Sequence, residues 1–175
     1  MPAGPTPVPD FATLAATHLE SAYNLARWLV RDAALADDVV QDAMVRALRY
    51  FGGFRGENPR AWLLQIVRNV ALTKLKGSAE PKPADEHEVL QVSNDARDGP
   101  EAKLMREDDE RVLQRLLAGL PVELRECLVM RELEELSYKE IARIVDAPIG
   151  TVMSRLWRGR KLLAEAAGAL EVRGP

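Results

Sequence analysis

Between Ala79 and Glu110 the chain carries eleven acidic residues against four basic ones, a net of −7, with prolines at 81, 83 and 100 and no sustained apolar spacing before about Ala102. Such a stretch cannot bury enough apolar surface to offset its ordering entropy, so it divides the chain rather than joining a core. Helical spacing lies on both sides, and at 175 residues each part is near the lower size for a core of its own. Aromatics make up only 5% against 47% hydrophobic residues, so Leu, Ala and Val must fill those cores, as in helix-on-helix packing. The expected fold is all-α: two small helical domains joined by an acidic flexible linker. The expected boundaries are a proline-rich, disordered N-terminus at 1–9, a first domain at 10–76, the linker at 77–105 and a second domain at 106–170.

The second domain holds the most specific local pattern. Ser137 with Glu140 three residues on is a capping box, so a helix starts there; Ile141, Ala142, Ile144 and Val145 give it one apolar face. Asp146-Ala147-Pro148 ends it, and Gly150-Thr151 opens a second helix in which Val152, Leu156 and Leu163 recur at core spacing. Thr151, Ser154, Arg155, Arg158 and Lys161 share a different face. Two helices joined by a tight turn, with hydroxyls and guanidiniums early in the second, form a helix-turn-helix suited to a DNA major groove. From Ser137 to Ala164 six cations face two anions, a net of +4 in a chain of net charge −3, which places basic charge where phosphates would lie. Helices over Glu101–Leu117 and from Leu120-Pro121, with Leu124, Cys127 and Leu128, complete a four-helix unit ending near Ala169.

In the first domain Phe11, Leu14, Ala22, Leu25 and Leu29 define a scaffold helix ending near Arg31. The next helix is expected to bury Val40, Met44, Ala47, Leu48 and Phe51, leaving Asp38, Gln41, Asp42 and Val45 on another face as a protein-docking row. After the glycine-rich loop FGGFRGEN, Asn58-Pro59 reads as a cap with proline at the first helical position. The helix that follows packs Leu63, Ile66, Val67 and Val70, while Trp62, Gln65, Asn69, Thr73 and Lys76 form a second row able to hydrogen-bond base edges and stack on unpaired bases. For Trp62 itself packing is favoured over stacking. Arg55, Arg60, Arg68, Lys74 and Lys76 against Glu57 give residues 52 to 76 a net of +4.

No apolar run approaches the roughly 18 residues of a membrane span, and MPAGPTPVPD lacks the regions of a signal peptide. A cytoplasmic protein without direct membrane insertion is expected. Cys127, His18 and His87 fit no usual zinc spacing, and no nucleophile, base and orienting group can be assembled, so neither cofactor, metal nor enzymatic activity is expected.

In this order and spacing the motifs resemble the extracytoplasmic-function (ECF) sigma factors of bacterial RNA polymerase, across nearly all of Phe11 to Ala169. ADDVVQDAMVRAL resembles the helix that docks on the beta-prime clamp, NPRAWLLQIVRNVALTKLK the helix that reads the −10 element, and LPVELRECLVMRELEELSYKEIARIVDAPIGTVMSRLWRGRKLL the domain that reads the −35 element and touches the beta flap. The resemblance implies a sigma region 2-like domain and a region 4-like domain. It implies clamp binding by Asp38, Gln41 and Asp42, with Val45 beside them, and places Asn69 on a flipped non-template base whose pocket Phe54 and Arg55 line. Arg60, Trp62, Gln65, Arg68, Thr73 and Lys76 complete the expected −10 set, and Thr151, Met153, Ser154, Arg155, Arg158 and Lys161 the −35 set. Thr73 stands where many relatives carry an acid, and Met153 where a base is common. The implied partners are core RNA polymerase, promoter DNA and an anti-sigma factor, which can hold its target at the membrane. Two alternatives remain: a regulator of the LuxR type, whose first helix-turn-helix helix is also KEIA-like, and a sigma-like decoy that binds an anti-sigma factor without engaging promoters.

Overall fold

The computed structural model describes residues 10–77 and 100–172, with the side chains of 10–77 and 108–170. The N-terminus at 1–9 and most of the acidic linker, 78–99, lie outside the described residues. Among the described residues seven α-helices form two units: α1 (Phe11–Val30), α2 (Ala33–Tyr50) and α3 (Pro59–Gly77), then α4 (Pro100–Ala118), α5 (Val122–Leu128), α6 (Tyr138–Val145) and α7 (Ile149–Val172). Among the described residues there is no strand, in keeping with the all-α expectation. Helix α4 begins at Pro100, so the interval 77–105 includes its first turns.

Caps set the helix starts. Asp10 accepts from Thr13 N at 2.8 Å and Asp32 from Leu35 N at 2.8 Å, which satisfies N–H groups that the first turn leaves free. Asn58 caps α3 by accepting from Ala61 N at 3.1 Å, with φ of 43°, a left-handed conformation that asparagine tolerates better than most residues. Arg31 closes α1 in the left-handed region, its N–H donating to Arg27 O.

The first unit buries Leu14, Leu25 and Leu29 of α1 against Val39 and Ala43 of α2 and Leu63, Leu64 and Val67 of α3, each buried leucine contributing about 1.5–3 kcal/mol. One expectation is corrected: the core stripe of α2 is Ala36, Val39, Val40, Ala43 and Ala47, and Leu48 is 59% exposed. Small alanines let α2 approach closely, and that rotation turns Leu48 outward.

In the second unit α5 runs into a π-helical turn, Val129–Leu133, which sends the chain back toward α6. Arg131 braces this bend, donating to Leu136 O at 2.9 Å with its guanidinium 5.0 Å from the Tyr138 ring centroid. Val152 and Leu156 of α7 pack into the same core as Ile141 and Ile144 of α6. The two units are docked on each other, and the buried apolar core is continuous across them.

Candidate nucleic-acid interface

On α2, Asp38, Gln41, Asp42 and Val45 are all exposed along one face, because Ala36, Val39 and Ala43 turn the opposite face inward. Leu48 extends this row by one turn, an apolar contribution that sequence spacing had assigned to the core. Lys74 of α3 lies 2.8 Å from an Asp42 oxygen and 3.6 Å from Asp38, and these carboxylates hold its ammonium above the ordinary lysine range. Both carboxylates are exposed, so these ion pairs orient side chains more than they stabilise the fold.

On α3, Asn69, Thr73 and Lys76 are exposed and Gln65 is half-buried, one row on the side away from Leu63, Val67 and Val70. Thr73 Oγ1 donates back to Asn69 O at 2.9 Å, and Arg68 Nη1 lies 3.3 Å from Asn69 Oδ1. At the N-terminal end, Phe11, Phe51, Phe54 and Trp62 form an aromatic cluster in which Phe54 and Trp62 have centroids 4.8 Å apart. Trp62 packs, as favoured from the sequence. Beside it opens a cleft of about 210 Å³ lined by Gly53, Phe54, Arg55, Glu57, Trp62 and Arg143, with aromatic walls and charged edges.

The helix-turn-helix is built as its residues require. Ser137 Oγ accepts from Glu140 N at 3.1 Å, and the Glu140 carboxylate accepts from Ser137 N at 2.7 Å. That backbone N–H is the main reason the Glu140 carboxyl is held below its ordinary range. Asp146, in the left-handed region with φ of 54°, ends α6, and Pro148 O accepts from the Thr151 and Val152 N–H groups to start α7 at Ile149. Met153, Ser154, Arg158 and Lys161 are exposed, and Thr151 and Arg155 are half-buried. Trp157, absent from the sequence-based set, is 65% exposed, with Lys161 Nζ 5.2 Å from its ring centroid. Its position four residues after Met153 was the signal available. Together with Tyr138 and Arg160 these side chains line an open trough of about 480 Å³.

Three expected contacts are already engaged inside the molecule. Arg68 makes a forked pair with Glu126 of α5 at 2.7 and 3.0 Å, and Arg60 reaches both the Glu134 carboxylate at 2.5 Å and its carbonyl at 2.8 Å. Arg155 Nη1 lies 3.8 Å from the same Glu126 and makes no hydrogen bond among the described residues.

Residues 14–80 match the family described as Sigma-70 region 2, and residues 110–163 match Sigma-70 region 4. The chain is 34% identical over 145 residues to the RNA polymerase sigma-H factor of Pseudomonas aeruginosa, covering 78% of this chain and 75% of that protein. It is 34% identical over 134 residues to the ECF RNA polymerase sigma-E factor of Escherichia coli K12, covering 72% and 70%. Among solved structures, the sigma factor RpoE of Bartonella quintana, in complex with the anti-sigma factor NepR, superposes with a TM-score of 0.69 at 24% identity over 91% of this chain and 97% of that one. CnrH, in complex with the cytosolic domain of CnrY, gives 0.66 at 24% identity over 91% and 88%. The N-terminal half, which the LuxR alternative would have as a receiver or ligand domain, matches Sigma-70 region 2 instead. By these matches, and by the paired helical units that carry them, the chain belongs to the ECF sigma factors of the sigma-70 family, which bind core RNA polymerase and direct it to promoters.

Proposed function

We propose that α2 docks on the beta-prime clamp through Asp38, Gln41, Asp42 and Val45, that α3 reads the −10 element and that the first turns of α7 read the −35 element. The observation that carries this reading is the row of half-buried Gln65 and exposed Asn69, Thr73 and Lys76 running up to an aromatic-walled cleft at Phe54 and Trp62. Amide and hydroxyl groups suit base edges, and an aromatic wall suits the face of a base removed from its stack. Phe54 and Arg55 would bound that base, Trp62 would back it, and Asn69 would read its edge. Arg60 and Arg68 would supply phosphate contacts.

In the second unit Ser154 and Arg158 are free to meet major-groove edges or phosphates, with Thr151, Arg155 and Lys161 flanking them and Met153 offering an apolar contact such as a thymine methyl accepts. Capturing a flipped base offsets an unpairing cost of a few kcal/mol, so melting proceeds on binding energy alone. Catalysis belongs to core polymerase; this chain supplies specificity and is not itself an enzyme. No described helix is long and apolar enough to cross a membrane, which suits action in the cytoplasm. The domains would be 10–76 and 106–170, with the acidic segment between them setting the spacing of the readers. The solved relatives RpoE and CnrH are described in complexes with NepR and CnrY, and an equivalent anti-sigma factor would control this chain.

The test is transcription in vitro with core polymerase on a promoter library. Starts preceded by two spaced elements are expected, with Asn69→Ala weakening use of the −10 element and Arg158→Ala of the −35 element. A protein that binds an anti-sigma factor but yields no starts would be the decoy.

A further inference from the structure

Arg155 sits at a seam of α7. Helical geometry places it between the exposed Ser154 and Arg158 on one side and the buried row Val152, Leu156 and Gly159 on the other. An arginine at such an edge can lay its apolar stem along the helix and keep its charged head in water. Arg155 does the opposite. Its side chain is 24% exposed, but Nη1 is buried, lies 3.8 Å from Glu126 Oε1 of α5 and has no hydrogen-bond partner among the described residues. An unsatisfied interior N–H is costly, so a guanidinium turned inward must be held there by something, and the fully buried Glu126 carboxylate is the opposite charge it meets.

The neighbouring Cys127, also fully buried, senses the same guanidinium: burial chiefly, then the Glu126 charge, push its thiol up, and Arg155 draws it down. The charge of Arg155 thus acts on the inside of its unit. One turn further along α7, Gly159 packs on Leu124 and Leu128, which flank Glu126 on α5, so closely that an added Cβ would stand 2.8 Å from Leu128 Cδ1. Helices α5 and α7 therefore meet at two successive levels, an apolar one at Gly159 and a charged one at Arg155. The first sets their separation; the second fixes how α7 is turned about its own axis.

We infer that Arg155 is a positioning residue of the −35 reader and not a DNA contact: held inward toward Glu126, it sets the rotation of α7 that turns Ser154 and Arg158 outward. The basic row read from the sequence therefore divides, with Ser154, Arg158 and Lys161 facing out and Arg155 facing α5. This rests on the reading of α7 as the −35 reader and deepens it. A phosphate contact and a positioning residue leave different marks on binding. Loss of a phosphate contact lowers the salt dependence of affinity, whereas a turned reading helix loses sequence preference with the same number of phosphates neutralised.

The test measures binding of the full chain to a duplex carrying the −35 sequence recovered from start-site mapping, and to a scrambled duplex of equal length, over a range of salt. Arg158→Met is the comparator, with the slope of log affinity against log salt expected to fall by about 0.9, the loss of one phosphate contact. Arg155→Met is expected to keep the slope of the unsubstituted chain and to lose about tenfold in preference for the −35 duplex over the scrambled one, as when one base pair is misread. Partial unfolding would lower both affinities together and leave that ratio unchanged, so the ratio separates positioning from a loss of fold. A slope lowered as in Arg158→Met, or an unchanged preference, would overturn the inference. If Arg155→Met loses helicity, Arg155→Lys takes its place with the same two outcomes, because a compact, strongly hydrated ammonium is a poor substitute beside a buried acid. Urea unfolding without DNA gives a second measure: Arg155→Met should lower the midpoint more in the unsubstituted chain than in Glu126→Gln, and equal shifts would overturn the inference. A chain that prefers no −35 duplex would refute the reading of α7, and the unfolding cycle would then decide this inference by itself.

Discussion

Replacing glycine by alanine inside a helix ordinarily stabilises it by about 1 kcal/mol, and α7 contains two sites where that rule should give opposite signs. At Gly159 an added Cβ would stand 2.8 Å from Leu128 Cδ1, 3.2 Å from Leu128 Cγ and 3.6 Å from Leu124 Cβ. Leu128 and Leu124 are 2% and 4% exposed, so neither can swing away without disturbing the core. Overpacking of this kind costs about 1–3 kcal/mol. Set against the propensity gain, Gly159→Ala should lower stability by about 1 kcal/mol. At Gly168 nothing lies within 4 Å of the added Cβ, so Gly168→Ala should raise stability by up to about 1 kcal/mol. Urea unfolding followed by far-ultraviolet circular dichroism measures both; with a slope of about 2 kcal/mol/M, the midpoints should move by about 0.5 M in opposite directions. Because the α5–α7 contact aims the reading helix, Gly159→Ala should also weaken −35 DNA binding while a forked −10 DNA is bound as before. Equal stabilisation by both substitutions would refute the claim that Gly159 is there for close helix packing.

Ser137→Ala removes a cap and frees Glu140 from its reciprocal bond, and should cost about 1 kcal/mol, read as a lower urea midpoint. Burial chiefly, and the nearby Arg60 cation, hold the His18 imidazole below its ordinary pKa. Its contribution to stability should therefore be full above about pH 6.5 and be lost as the pH falls through the ordinary histidine value toward the depressed one. Thermal melts between pH 7.5 and 5 should show this loss, and His18→Gln should flatten it. Burial pushes the Cys127 thiol up to about 11, so a thiol reagent at neutral pH should react only as the protein unfolds, and prompt reaction in the native state would contradict its placement.

Much of this molecule was legible because its signals are local. Ser137 with Glu140 and Asn58-Pro59 each specify a cap within a few residues, and the structure shows both hydrogen bonds where spacing placed them. The row Gln65, Asn69, Thr73, Lys76 follows in the same way from helical period and from the apolar residues opposite. What was not legible depends on tertiary approach. Leu48 reads as core by period alone, yet Ala36, Ala43 and Ala47 draw α2 in on another face. The π-helical turn at Val129–Leu133 has no sequence mark, and the pairing of Arg60 with Glu134 and Arg68 with Glu126 spans 74 and 58 residues, beyond any spacing rule. Charge bookkeeping placed Arg60 and Arg68 on DNA, whereas in this arrangement both guanidiniums are bound within the chain.

The most direct measurement of the central claim is mapping of RNA start sites made by purified core polymerase with and without this protein. New starts preceded by two elements at constant spacing are expected, with Asn69→Ala reducing starts through the −10 element and Arg158→Ala, at an exposed position on α7, through the −35 element. A protein that binds neither core polymerase nor promoter DNA, and adds no starts, would contradict it.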